Sequence, residues 1–334
     1  MTQSRASLVC VEDTPYYHCV GRCVRRAFLC GFDERSQRSY EHRRVWMSER
    51  LARLTEAFAI DVCSYTLMSN HYHLVVRLTP ERTESWSSRD IVERWLTLFR
   101  GTDEARQFLN GETLEREAKR SLEVDIGKWQ RRLGDLSWFM RCFNEYIARK
   151  ANAEDECTGH FWESRFKSQA LLDEVALITA MTYVDLNPVR ATVADSIETS
   201  DYTSIQDRWR AAMGQQHRLS DEQRPRLIPF MDVPSANDGD ALPFSLADYL
   251  DLVDTTGRCI VQGKRGFISA TKPALIGRLS INEHQWFDTV RHLHNRYELA
   301  IGTPECLRQL AVRKGKRWMH GIGNANRYYL LPDT

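Results

Sequence analysis

Asn70-His71-Tyr72-His73-Leu74-Val75-Val76 is the stretch on which the fold turns. Its apolar and β-branched residues predict a strand running from His71 to Leu78. Side chains alternate along a strand, so the rings of His71 and His73 leave one face while Tyr72 points to the other, toward a core. Met68-Ser69-Asn70 separates this strand from a second one, Ile60 to Leu67. Upstream, Gln37 to Phe58 carries Val45, Leu51, Leu54 and Phe58 at helical spacing, and Tyr16 to Arg26 alternates as a first strand. A β-α-β-β order of this kind begins a ferredoxin-like sandwich, an α+β fold with an antiparallel sheet and helices on one face.

Downstream, Arg89 to Phe99 and Leu136 to Ala153 read as helices. Between them Gly101 to Gly134 is charged and of mixed character and reads as an insertion, and the helical insertion as a whole covers about residues 81–135. Phe166 to Leu172 is the returning strand, and Asp173 is the N-cap of a helix with Glu174 in its first turn. That helix is expected to end near Asn187, because Pro188 disfavours α-geometry in the residue before it. Leu177, Ile178, Met181 and Val184 form its apolar stripe, while Ala176, Thr179, Ala180, Tyr183 and Asn187 form another face. The expected organisation is a domain over 1–205, a linker over 206–240 whose Gln223 to Asp240 part is rich in proline, acid and small polar residues, and a mostly helical unit over 241–334. Helices are expected there at Leu246 to Val253, Lys272 to Leu279, Glu283 to Tyr297 and Pro304 to Val312. Removing everything beyond about Asp240 is expected to leave a soluble core.

At 334 residues, 42% apolar and with nine tryptophans, the chain has ample material for a core. Its formal net charge is +1, so any affinity for nucleic acid must come from local charge. No apolar run approaches the roughly 18 residues of a membrane span, and the N-terminus lacks the order of a signal peptide, so a cytoplasmic protein is expected. Nine cysteines without a C-x-x-C pair read as reduced thiols rather than a zinc module.

Two imidazoles on one strand face can chelate a divalent cation, although they can equally be satisfied polar groups at a sheet surface. Tyr183 and Asn187 stand at i and i+4, which gives one helix face a phenol and an amide oxygen. A metal and a tyrosine nucleophile are the minimum equipment for cutting a phosphodiester through a phosphotyrosine. Asn187 can ligate that metal or cap the helix end. Tyr65, Tyr72 and Tyr146 are rival phenols without an amide at i+4, and no dedicated general base is evident. Arg165, Lys167 and Arg190 are candidates for phosphate contacts, with Arg22, Arg25 and Arg26 extending the track. From Glu305 to Thr334 there are six Lys/Arg against two acids. Within that stretch Arg313, Lys314, Lys316 and Arg317 flank Trp318 as an auxiliary nucleic-acid contact or a solvated face.

Met68-Ser69-Asn70-His71-Tyr72-His73, Gly159 to Ser168 and Tyr183-Val184-Asp185-Leu186-Asn187-Pro188-Val189-Arg190-Ala191 occur in the order of the single-tyrosine HUH transposases. The chain resembles their REP-associated tyrosine transposase branch from about residue 14 to about residue 205. That resemblance implies an HUH endonuclease core, with His71 and His73 as ligands of a divalent metal, Mg²⁺ or Mn²⁺. Asn187 stands where the family has its third ligand, often glutamine, and is one methylene shorter. The resemblance further implies that Tyr183 is the nucleophile and that the partner is single-stranded or hairpin DNA. The function it implies is a metal-dependent single-strand DNA endonuclease and strand transferase that leaves a 5′-phosphotyrosine and a free 3′ hydroxyl. It implies a monomer or homodimer, associated with the nucleoid when bound to DNA. The alternatives are a domesticated, non-catalytic hairpin-DNA-binding protein and a phosphodiesterase in which water attacks.

Overall fold

The computed structural model describes residues 8–24, 29–34, 36–233, 240–261 and 273–329. Arg25 and Arg26, the 234–239 part of the expected linker and Lys272 lie outside them. In chain order the elements begin with β1 (Tyr16–Arg22), a short hairpin of β2 (Phe32–Asp33) and β3 (Arg38–Ser39), α1 (His42–Ala57), β4 (Ile60–Leu67) and β5 (His71–Leu78). Next come α2 (Ser88–Leu96), α3 (Asp103–Leu109), α4 (Arg116–Leu133), α5 (Leu136–Glu154) and β6 (Lys167–Leu171). Then follow α6 (Glu174–Asp185), α7 (Asn187–Arg190), α8 (Ser204–Ala212), α9 (Leu246–Val261), α10 (Ala274–Arg278), α11 (Glu283–Arg296), β7 (Ala300–Ile301), α12 (Pro304–Arg313) and α13 (Ile322–Tyr328). No described helix is long and apolar enough to cross a membrane.

The fold is α+β, built on a five-stranded sheet in the order β4-β5-β1-β6-β7. The first four strands run antiparallel, and β7 joins β6 in parallel through Ala170 opposite Ala300 and Leu171 opposite Ile301. The sheet is therefore mixed, not wholly antiparallel. Cross-strand partners share a face. Arg22 lies opposite His71, Val20 opposite His73 and Lys167, and His18 opposite Val75 and Gln169. His18, Arg22, His71, His73, Lys167 and Gln169 thus line one face.

The other face carries the apolar core. Tyr72 is fully buried there, edge-on to Phe143 of α5 and to Trp162, and its hydroxyl donates to Asn144 Oδ1 at 2.7 Å. The Trp162 indole donates to the Asn144 carbonyl, so Trp162 serves the core. Tyr72 crosses directly over Gly21, where a Cβ would come within 2.5 Å of its ring. α1 and α5 cover this face, and α6 covers the histidine face. Helices on both faces correct the expected one-sided arrangement. The reason lies in α6: Val175 to Asp185 are all buried, because the sheet packs on one side of the helix and α11 and α13 on the other. The apolar stripe is not set against an open face.

The helix ends two residues before the expected Asn187. The missing N–H and the ring of Pro188 exclude it from the interior of α6. The helix stops at Asp185, Leu186 breaks it, and α7 restarts with Pro188 in its first turn, where proline is tolerated. Asp185 at that end is completely buried. It accepts from the Ser204 hydroxyl and Ile205 N–H of α8, and from the Tyr249 hydroxyl of α9 at 2.5 Å. Burial raises its pKa to about 6 against the lowering effect of Arg208 and these donors.

Residues expected to act as a linker are packed. Arg208 donates to the carbonyls of Cys63 and Ile228, and Ile228 N–H bonds Val62 on β4. The C-terminal unit is likewise built into the sheet through β7. Asp173 caps α6 through Ala176 N–H, accepts from Thr303 N–H at the start of α12, and accepts from the Tyr329 hydroxyl. Tyr328 bonds Thr179 of α6 at 2.7 Å. Cutting the chain at Asp240 would remove these partners, contrary to the expectation of an autonomous core.

Asp173→Ala is expected to cost roughly 2–4 kcal/mol, a lost cap plus buried donors left unpaired. Urea unfolding of the full chain measures it, and a change within experimental error would show that the C-terminal unit does not hold α6.

Candidate functional site

β5 supplies His71 and His73, β1 supplies His18, and α6 lays Tyr183 across them. The rings of His71 and His73 are 5.0 Å apart, and His73 and His18 are 5.1 Å apart and nearly parallel. Tyr183 stands edge-on to His73 at 5.5 Å and to His18 at 5.9 Å. His294 of α11 approaches its ring at 6.4 Å. The Arg190 guanidinium lies 4.0 Å over the Tyr183 ring, a cation–π contact. Tyr183 is only 4% exposed, yet among the described residues no hydrogen bond engages its hydroxyl. The rival phenols are engaged elsewhere: Tyr65 donates to Asp207 at 2.6 Å, Tyr72 donates to Asn144, and Tyr146 meets Lys150.

Every imidazole here is shifted toward its neutral form. Burial lowers His71 to about 4, with help from Arg22 and Arg190. Burial also lowers His18 to about 4, against its bond to Gln169 and with Arg190 acting in the same direction. His73 is pushed well below the usual value by burial first and then by its histidine and arginine neighbours. His294 is lowered by burial and by Arg190, His292, Arg22 and Lys167. Arg22, Lys167 and Arg190 all act on these rings and so gather at one site. The charge is local, in a chain that is almost neutral overall. Arg190 also has a buried Nε–H without an acceptor among the described residues, a donor free for an anionic oxygen.

Neutral imidazole is the form that binds a metal. His71 Nδ1 meets Asn70 Oδ1 at 2.6 Å and His73 Nδ1 meets His18 Nε2 at 2.9 Å. The Nε2 atoms of both ligand candidates have no hydrogen-bond partner among the described residues. Two such donors fit one side of a divalent ion. Among the described residues no group of three or more His, Cys, Asp or Glu is arranged to hold a metal. Asn187 is buried at the start of α7, on a different helix from Tyr183. Its side chain makes no hydrogen bond to either histidine among the described residues, and it does not cap α6.

Other expected contact residues separate. Arg22, Lys167 and Arg190 gather at the site, and Arg165 is exposed in the turn before β6. In the C-terminal run, Arg313 and Lys314 pair with the nearly buried Asp13 at 2.7 and 3.6 Å, which ties α12 to the N-terminal segment. Lys316, Arg317 and Trp318 are exposed. His18, Gln169 and His294 were not anticipated. Alternation alone puts His18 on the face of Arg22, but its approach to His73 depends on cross-strand register, and nothing local marks His294.

No family model matches the chain, and no curated protein does. A solved structure of a REP-associated tyrosine transposase bound to a REP hairpin aligns with 68% of this chain and 99% of that one, at 11% identity and a TM-score of 0.37. A likeness of that degree leaves fold and chemistry to be argued from the residues themselves.

Neutralising Arg22, Lys167 or Arg190 singly is expected to lower the slope of log affinity against log salt for single-stranded DNA by about 0.7 each. Neutralising Arg313 should leave the slope unchanged and lower stability instead. Fluorescence titrations across a salt series measure both, and an unchanged slope for all three site cations would remove DNA phosphate from the site.

Proposed function

We propose that the chain is a DNA-processing enzyme that cuts and rejoins single-stranded DNA beside a hairpin, with Tyr183 as nucleophile. The observation that carries this reading is the unengaged Tyr183 hydroxyl in a pocket of neutral histidines and site-facing cations. The resemblance of the His71–His73 and Tyr183–Ala191 motifs to REP-associated tyrosine transposases supports the hairpin as substrate, with an HUH-type core.

Arg22, Lys167 and Arg190 bind the phosphates flanking the scissile bond, and the free Arg190 Nε–H donates to a phosphate oxygen. His71 and His73 would hold a divalent ion, which would supply positive charge beside the scissile phosphate. The Tyr183 oxygen attacks phosphorus, the P–O3′ bond breaks, and the chain carries a 5′-phosphotyrosine while the 3′ oxygen leaves as a hydroxyl. A 3′ hydroxyl attacking that linkage reverses the step and transfers the strand. The low exposure of Tyr183 favours one rival, a non-catalytic hairpin binder, over a phosphodiesterase that uses water.

Tyr183→Phe deletes one oxygen and almost no packing area. It is expected to bind a labelled hairpin-bearing single strand normally in Mn²⁺ and to form no covalent adduct on a denaturing gel, where the parent does. An adduct from the variant would place the nucleophile on another residue, and none from the parent would favour the binder.

His71→Ala and His73→Ala are each expected to abolish Mn²⁺-dependent cleavage, whereas Tyr72→Phe keeps it and loses about 1 kcal/mol of stability with its Asn144 bond. Equal heats of Mn²⁺ binding for the double alanine variant and the parent would contradict the metal assignment.

A further inference from the structure

We propose that His18 and Gln169 are positioning residues that lock His73 into the tautomer with a bare Nε2 lone pair, and that the main-chain carbonyl of Tyr297 sets the direction of this chain of hydrogen bonds. The inference deepens the reading above and rests on it for the metal, but the tautomer stands on geometry alone.

The direction is fixed from one end. A carbonyl oxygen only accepts, so the Gln169 atom 3.0 Å from Tyr297 O is the amide nitrogen. Gln169 Oε1 therefore faces His18 Nδ1, at 3.3 Å. An amide oxygen also only accepts, so His18 Nδ1 carries the hydrogen. His18 is buried and no carboxylate bonds its ring among the described residues, so the ring carries a single hydrogen and its Nε2 is left as an acceptor. The atom 2.9 Å from that lone pair is His73 Nδ1, which must then be the donor. His73 is equally buried with no carboxylate bonded to it among the described residues, so its single hydrogen is spent on Nδ1 and Nε2 is left bare. The opposite assignment would set the bare His18 Nδ1 against Gln169 Oε1, two acceptors facing each other in a buried place.

The strand register makes the chain possible. Gln169 is the direct partner of His18 across β1 and β6, and His73 lies diagonally across β1 and β5. Tyr297 belongs to the C-terminal unit, just before the main-chain bond from Ala170 N–H to Leu299 O that starts the β6–β7 pairing. The docking of that unit is thereby converted into the protonation pattern of a ring on the far side of β1. His71 Nδ1 faces Asn70 Oδ1 at 2.6 Å, a contact separate from this chain of hydrogen bonds. Two bare Nε2 atoms are what a shared cation requires, and an outer partner that fixes a ligand's tautomer commonly sustains its affinity.

The test uses the full-length, metal-free protein with ¹⁵N-labelled histidine, read by long-range ¹H–¹⁵N spectra at neutral pH. The expected result is a pyrrole-type Nδ1 and a pyridine-type Nε2 for both His18 and His73. Gln169→Leu is expected to shift His73 toward the Nε2–H form and to weaken Mn²⁺ binding about tenfold by calorimetry. His18→Phe should do the same to His73. A hydrogen on Nε2 of His73 in the parent would overturn the proposal, as would a pure Nδ1–H tautomer retained in both variants. Failure of the parent to bind Mn²⁺ would overturn the metal role of His73, while the spectra would still decide the chain of hydrogen bonds.

Discussion

The site depends on the pairing register of three strands. Because side chains alternate with period two, a slip of one residue in β1 would turn His18 and Arg22 into the α1–α5 core and bring Tyr17 and Cys19 to the site face. Several contacts oppose that slip. Tyr72 lies over Gly21 with no room for a Cβ, the Tyr17 hydroxyl bonds both the N–H and the carbonyl of Cys10, and Thr14 reaches the Leu171 carbonyl. With the register held, His18, His73 and Gln169 meet without any loop having to place them.

The second requirement is that α6 lie across these strands at a fixed height. Two aspartates hold it, one at each end, Asp173 half-buried and Asp185 fully buried. Asp173 ties the N-terminus to α12 and Tyr329, and Asp185 ties the C-terminus to α8 and α9. Burying a carboxylate is costly unless donors surround it, and each of these has three. The segments after the expected domain end at 205 therefore build the site. They provide both anchors of α6, an edge strand, the carbonyl beyond Gln169 and the ring of His294.

Much of this was legible in the sequence. The strands at Ile60–Leu67 and His71–Leu78, the cap at Asp173 and the paired faces of His71 and His73 follow from local pattern, because alternation and capping are decided by neighbours in the chain. His18 and Gln169 escaped because their meeting with His73 requires knowing which strands pair, and at what offset. The role of 241–334 escaped for a similar reason: a two-residue strand such as Ala300–Ile301 has no periodicity to detect, and the contacts of Asp173 span more than a hundred residues. Pro188 showed that the helix must end, but not that it would restart at once and carry Asn187 onto another element. Arg313 and Lys314 looked like free charge because their partner, Asp13, lies at the other end of the chain.

The most direct test of the account is to locate the covalent bond. After incubation with a hairpin-bearing single strand and Mn²⁺, the protein is treated with nuclease and trypsin, and the peptides are sequenced by mass spectrometry. Cleavage after Lys167 and Arg190 yields peptide 168–190, in which Tyr183 is the only tyrosine. The account predicts a nucleotide 5′-phosphate on that residue. A nucleotide on any other tyrosine, or cleaved DNA without a modified peptide, would contradict it.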